Sequence, residues 1–271
     1  AQDTQSGWQH YGYDQGGTRY SPLQQINRDN VADLELAWDY RHGDLEKHPA
    51  NRDFAGFHTT PILLPETAGS SLVACTPFSR VFALDPETGE ERWSHDPKIT
   101  LSPIPTRLKC LGVAYWEDTQ TPVADSCRHR IIWGTHDRRI VAVDALTGDI
   151  CSQFGDNGVT DVNPIITASR PAQPDPAGTT FSAPPVVVNG VIVIGHINNM
   201  KNQFPDAPAG MVRAFDAHTG QLRWQFDPIP RDRDQPHASD WTDAAMQLTG
   251  GANAWPPLSA DPERDLVFIP T

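Results

Sequence analysis

"VFALDPETGEERW", residues 81–93, holds the pattern on which the fold turns. Val81 and Ala83 alternate with Phe82 and Leu84, which predicts a strand with two apolar faces. Asp85-Pro86-Glu87-Thr88-Gly89 follows. Proline in the second place suits a type I turn. The Asp and Thr side chains are of the kind that bond neighbouring backbone amides. Gly89 takes the left-handed place that closes such a turn with a bulge. The return strand carries Trp93. The unit is a tight β-hairpin with a large ring on its second strand.

The chain repeats the phrase as "IVAVDALTGDICS" (140–152) and "VRAFDAHTGQLRW" (212–224). Asp144, Thr147 and Gly148 keep the turn, as do Asp216, Thr219 and Gly220. Trp224 repeats Trp93, and Ser152 stands at that place in the middle copy. Ala83, Ala142 and Ala214 each precede the turn aspartate by two. A small residue on one face and an indole on the other is expected to let adjacent sheets interdigitate. The turn aspartates lie 59 and 72 residues apart. That exceeds the roughly 40–50 residues of common propeller repeats, so each unit is read as four strands plus an inserted loop.

Further strand signals lead each copy: "TTPILLP" (59–65) and "SLVACT" (71–76), then "HRIIWGT" (129–135), then "APPVVVNGVIVIG" (183–195), which Asn189-Gly190 breaks into a hairpin. A fourth unit begins in "GANAWPPLSADPERDLVFIPT" (251–271), with Asp261-Pro262 at its turn. "SPLQQINRDNVADLELAWDY" (21–40) has a helix-like pattern with Asn27 or Asp29 as a cap, and its end, "ELAWDY", suits a strand that closes a sheet elsewhere.

The fold expected is therefore all-β, a β-propeller of four-stranded blades of which these residues are about the first three and a half. The expected boundaries are 1–44 for the lead-in and closing strand, 45–97, 98–156 and 157–228 for three blades, and 229–271 for the start of a fourth. A β-sandwich with coincidental turns is the competing reading. Three and a half blades leave unpaired edges, which proteins avoid, so the remaining blades are expected from a second chain or from a longer protein.

The composition agrees. Pro 25 and Gly 20 are spread along 271 residues, as many short strands with turns require. A net charge of −13 argues against sequence-independent nucleic-acid binding and against docking on an anionic membrane. No apolar run reaches the roughly 18 residues of a membrane span. "AQDTQSGW" (1–8) reads as a mature or trimmed N-terminus. The four cysteines, Cys75, Cys110, Cys127 and Cys151, form no CxxC, which speaks against zinc, and their even number permits disulfides.

The A-x-D-x-x-T-G-x-x-x-W phrase resembles the tryptophan-docking motif of eight-bladed quinoprotein dehydrogenases, which use pyrroloquinoline quinone (PQQ) and usually Ca²⁺. "YGYDQGGTRYSPLQQINRDNVADLELAWDYRHGD" (11–44) is similar to that family's lead-in. "CTPFSRVFALD", "CLGVAYWE", "CRHRIIWGTHDRRIVAVD" and "GANAWPPLSADPERDLVFIPT" resemble successive segments of its membrane glucose dehydrogenase and quinate dehydrogenase branch. By family length, the chain is roughly the first half of the ring.

The resemblance implies hydride transfer from a sugar, polyol or cyclic alcohol to PQQ, with electrons passing to a ubiquinone-type acceptor. The family's general base lies in later blades, so no residue here receives that role, and these residues alone are expected to be inactive. The resemblance places PQQ on the indole of Trp255, with Asn253, His58, Thr135 and Asp137 around it. Arg138 or Arg139 holding Asp137 in a plain ion pair is the competing reading for that acid. Asn198 or Asn199 is implied as a Ca²⁺ ligand. A disulfide between Cys110 and Cys127, as in the glucose branch, and a periplasmic location are implied too.

Two positions depart from the pattern. Leu111 stands where the family often has an arginine that meets a PQQ carboxylate, and Phe78 where the glucose branch has a histidine. A non-enzymatic propeller of the outer-membrane assembly type is the alternative function. Trp255 with its "GANAWPP" context and the quinoprotein lead-in favour the dehydrogenase.

Overall fold

The computed structural model describes residues 7–101, 107–169, 178–198, 209–248 and 250–271. Three antiparallel four-stranded sheets follow one another along the chain. The first contains β1 (Ile62–Leu63), β2 (Leu72–Cys75), β3 (Val81–Leu84) and β4 (Glu91–His95). The second contains β5 (Ala114–Glu117), β6 (His129–Gly134), β7 (Arg139–Asp144) and β8 (Val159–Asp161). A short ribbon pairs β9 (Thr179–Thr180) with β12 (Ile197–Asn198). The third sheet contains β10 (Val186–Val188), β11 (Val191–Ile194), β13 (Val212–Asp216) and β14 (Leu222–Phe226). The hairpin β15 (Ser259–Asp261) with β16 (Leu266–Phe268) opens a fourth unit. This is the partial propeller that the repeated hairpins predict.

The turns form as the residue types require. Asp85 Oδ1 accepts from the amides of Glu87 and Thr88, Asp144 Oδ1 from Leu146 and Thr147, and Asp216 Oδ1 from His218 and Thr219. The register shifts between Ala83 and Leu84 and between Ala214 and Phe215, the expected bulges. Asn189 and Gly190 both have positive φ, as a two-residue β10–β11 turn demands.

Alternation along the strands builds the layers between sheets. Val73, Val81, Ala83 and Trp93 face Ile131, Trp133, Val141 and Val143 in the first layer. Their neighbours Ile132, Ile140 and Ala142 face Ile192, Ile194 and Phe215 in the next. Val193, Val212 and Ala214 then meet Ala260 and Val267. The outer face of the first sheet, Ala74, Phe82 and Leu84, is covered by Trp38 and Tyr40.

Indoles tie unit to unit. Trp38 lies against Gly89, and its Nε1 donates to the Pro86 carbonyl at 3.2 Å. Trp93 lies against Gly148 and donates to the Ala145 carbonyl at 3.1 Å. Where the middle copy lacks tryptophan, Phe154 and Thr160 take that place against Gly220, and Thr160 Oγ1 donates to the Gly220 carbonyl at 2.9 Å. Trp224 is 42% exposed on the open side of the third sheet.

Three expectations are corrected. The alanine and the tryptophan share a face, because Ala83 pairs with Trp93 and Ala214 with Trp224 in register, and cross-strand partners point the same way. Residues 21–40 hold only a short 3₁₀ turn at Val31–Asp33 and no strand. Leu23, Leu34 and Leu36 there are exposed, so no packed face stabilises a helix. Finally, the disulfides are Cys75–Cys110 and Cys127–Cys151, not Cys110–Cys127. Cys75 and Cys110 lie in the layer between the first and second sheets, Cys127 and Cys151 in the layer between the second and third. A Cys110–Cys127 bond would have to pass through the second sheet.

Candidate functional site

The equivalent strands β2, β6 and β11 end at Cys75, Gly134 and Ile194, and the chain beyond them gathers at one end of the sheets. Trp133 Nε1 donates to the Ser79 carbonyl, and the His136 amide donates to Ser79 Oγ. The His136 ring meets the Arg107 carbonyl at 3.3 Å. Residues 107–112 run alongside 54–60 through the bonds Leu108 N to Phe54 O, Gly56 N to Leu108 O and Thr60 N to Leu111 O. A path of contacts thus joins the first and second units to the segment that enters the second.

That segment alternates. Leu108 and Cys110 are buried, while Arg107, Lys109 and Leu111 take the open side. Lys109 Nζ stands 5.7 Å from the ring centroid of Trp255, whose indole is 51% exposed. A cleft of about 490 Å³ beside it is lined by Asp53, His58, Arg107 and Lys109 among others. Desolvation pushes the Lys109 ammonium pKa down, and the Arg107 charge adds to that.

The 251–255 segment is pressed onto the third unit. Asn253 is buried, and its Nδ2 donates to the His196 carbonyl at 2.8 Å. A β-carbon on Gly195 would stand 2.0 Å from the Ala254 carbonyl oxygen, so only glycine permits this approach. His196 is fully enclosed, and burial with the nearby Arg213 charge pushes its pKa down to about 3. Neither of its ring nitrogens completes a hydrogen bond among the described residues, although the backbone of Ala209 and Met211 lies alongside.

Thr135 and Asp137 form a second, internally bonded group. Thr135 Oγ1 donates to Asp137 Oδ1 at 2.5 Å, the Thr100 amide donates to Oδ2 at 3.0 Å, and Arg139 pairs with the carboxylate at 2.8 Å. Of the two arginines weighed for Asp137, Arg139 is therefore its partner. No hydrogen bond links this group to Asn253 or Trp255 among the described residues.

Lys109 thus stands against the Trp255 ring and lines the cleft that His58 also lines, Asn253 is bound to the third unit, and Thr135 is tied to Asp137. Asn198 ends β12 with its side chain outside the described residues, and Asn199 lies outside them altogether. Among the described residues no three His, Cys, Asp or Glu side chains cluster to hold a metal. Phe78 is buried and stacks on His48 with ring centroids 4.4 Å apart. Sequence reasoning missed Lys109 and Arg107. Their one signal is the alternation R-L-K-C, which puts both cations on the open side of an extended segment.

An exposed indole with an ammonium over its ring is an arrangement that can receive a planar anion. The chain belongs to the family described as "PQQ: Glucose/ethanol/alcohol dehydrogenase, beta-propeller domain", which matches residues 8–271. It is 33% identical to quinoprotein glucose dehydrogenase A of Acinetobacter calcoaceticus, over 98% of this chain and 33% of that protein. It is 34% identical to the quinate/shikimate dehydrogenase (quinone) of Acinetobacter baylyi, over 98% of this chain and 32% of the relative. The chain therefore spans about a third of the length of these relatives. Among solved structures, the quinohemoprotein alcohol dehydrogenase ADHIIG of Pseudomonas putida HK5 matches with TM-score 0.66 and 26% identity, over 97% of this chain and 34% of that one. The quinohemoprotein alcohol dehydrogenase of Comamonas testosteroni matches with TM-score 0.70 over 98% of this chain and 35% of that one; at 23% identity it speaks for the fold alone.

Proposed function

We propose that these residues are the opening blades of a PQQ-dependent dehydrogenase that oxidises a sugar, a polyol or a cyclic alcohol of the glucose or quinate type. The observation that carries the reading is the exposed Trp255 indole beside the cleft of His58, Arg107 and Lys109. The donor set suits PQQ, a planar tricarboxylate: an indole face offers dispersion and π contact, and cations suit the carboxylates. Bound PQQ supplies a quinone that accepts a hydride, two electrons with one proton, from the alcohol carbon.

The chain's own part is to hold and orient. Trp255 is the stacking floor. Asn253, fixed by the His196 carbonyl, sits beside it. His58 offers an imidazole from the facing segment, and Thr135 with Asp137 forms a rigid polar group at the second blade. Ca²⁺, with Asn198 or Asn199 as ligand, belongs to this reading, as does a general base in the later blades of the full-length protein; residues 1–271 alone are then inactive. A ubiquinone-type acceptor is supported by the quinone-linked relatives. A periplasmic location is supported by the two disulfides, which persist in oxidising compartments.

The test is a titration of the full-length protein with PQQ, with and without Ca²⁺, followed by Trp fluorescence. Saturable quenching that Trp255→Ala abolishes is the expected result. Absence of binding in the full-length protein under both conditions would end the dehydrogenase reading.

A further inference from the structure

Arg107 and Lys109 stand close together on the open side of one extended segment of this acidic chain. Neither forms an ion pair with a carboxylate among the described residues, although the net charge is −13 and Asp53 lines the same cleft. Several other cations pair: Arg80 with Asp44, Arg130 with Asp118, Arg139 with Asp137. Lys109 instead rests over an exposed aromatic face, a contact that holds an ammonium weakly where water competes. It does so next to a second positive charge, where an ammonium is least at ease without an anion.

We infer that Lys109, with Arg107 beside it, is the cation that receives a carboxylate of PQQ in this chain. The inference rests on the proposed function. It also accounts for Leu111. Residues 109 and 111 stand two apart on a segment whose even positions are buried, so both project to the same side, one strand repeat apart. A charge absent at 111 is thus supplied from the same face by an ammonium on a flexible four-carbon stem. The stem lets the ammonium leave the indole face when a planar ring stacks there and move to the ring's carboxylate edge. The imidazole of His58 folds back over Gly56, with Nε2 2.4 Å from where a β-carbon there would stand, and lines the same cleft as Lys109.

The experiment compares PQQ affinity, read by Trp quenching and by calorimetry, in full-length wild type, Lys109→Gln and Lys109→Arg. PQQ trimethyl ester, which lacks the charges, is the second probe. Lys109→Gln is expected to weaken PQQ binding roughly 10- to 100-fold, the worth of one charge-assisted hydrogen bond. Lys109→Arg should recover most of it, and the ester should bind wild type and Lys109→Gln alike. PQQ binding that is unchanged in Lys109→Gln but lost in Trp255→Ala overturns the inference and leaves the proposed function standing. An equal loss for acid and ester overturns it too, because Lys109 then acts through shape and not charge. No PQQ binding by wild type overturns both.

Discussion

The contact between Trp93 and Gly148 is where the fold is most open to test. Gly148 has φ +75°, and an added β-carbon would stand 2.6 Å from the indole of Trp93, which is itself buried. Gly190 has the same φ, +75°, with nothing within 4 Å of its would-be β-carbon. Alanine at either position meets the left-handed penalty of about 1–2 kcal/mol. Only Gly148→Ala adds the overpacking cost, about 1–3 kcal/mol in a filled layer. Gly148→Ala is therefore expected to destabilise by about 2–5 kcal/mol and Gly190→Ala by about 1–2 kcal/mol. Equilibrium urea unfolding followed by Trp fluorescence reads both, with the m-value confirming that the unfolded states are comparable. In a Trp93→Leu background the extra cost of Gly148→Ala should shrink toward the Gly190→Ala value, because the clashing ring is gone. Equal costs for the two glycines in the wild-type background would refute the idea that indole docking joins the sheets.

Other predictions follow from the same geometry. Non-reducing peptide mapping should recover Cys75 linked to Cys110 and Cys127 linked to Cys151, and Cys110→Ser should free Cys75 while leaving the other pair intact. The loops closed, 35 and 24 residues, put the loss of either bond at about 3–4 kcal/mol in the chain-entropy account. Arg139→Gln leaves the Asp137 carboxylate buried without its counter-charge and should cost about 3 kcal/mol in urea unfolding; Asp137→Asn in the same chain should return most of it. Burial holds the His136 pKa down at about 4, whereas an unfolded histidine titrates near 6.5. Above pH 6.5 both states are neutral. As pH falls from 6.5 to 4 the unfolded chain takes a proton that the folded chain refuses. Stability then drops by about 1.4 kcal/mol per pH decade from this residue. His136→Asn should flatten the stability–pH slope in that window; an unchanged slope would show the imidazole is not buried neutral.

What was legible in the sequence was local. The D-x-x-T-G turns, the Asn189-Gly190 hairpin and the two-faced strands rest on hydrogen bonds two to four residues long and on a period of two, and both are written in consecutive letters. The family resemblance drew attention to Trp255 and Asn253, but the cation over the indole depends on where two distant segments meet. The disulfides make the same point. Four cysteines permit several pairings, and sequence spacing does not say which inter-sheet layer each one enters. The helix-like stretch at 21–40 shows the limit of pattern reading in the other direction, because an amphipathic pattern stabilises a helix only where something covers its apolar side. The sequence by itself determined the repeating hairpin and hence the propeller class, since turn chemistry and alternation act over a few residues. Only the tertiary structure decided which cysteines bond, that Arg139 holds Asp137, and that Lys109 meets Trp255, since each depends on the packing of whole sheets against one another.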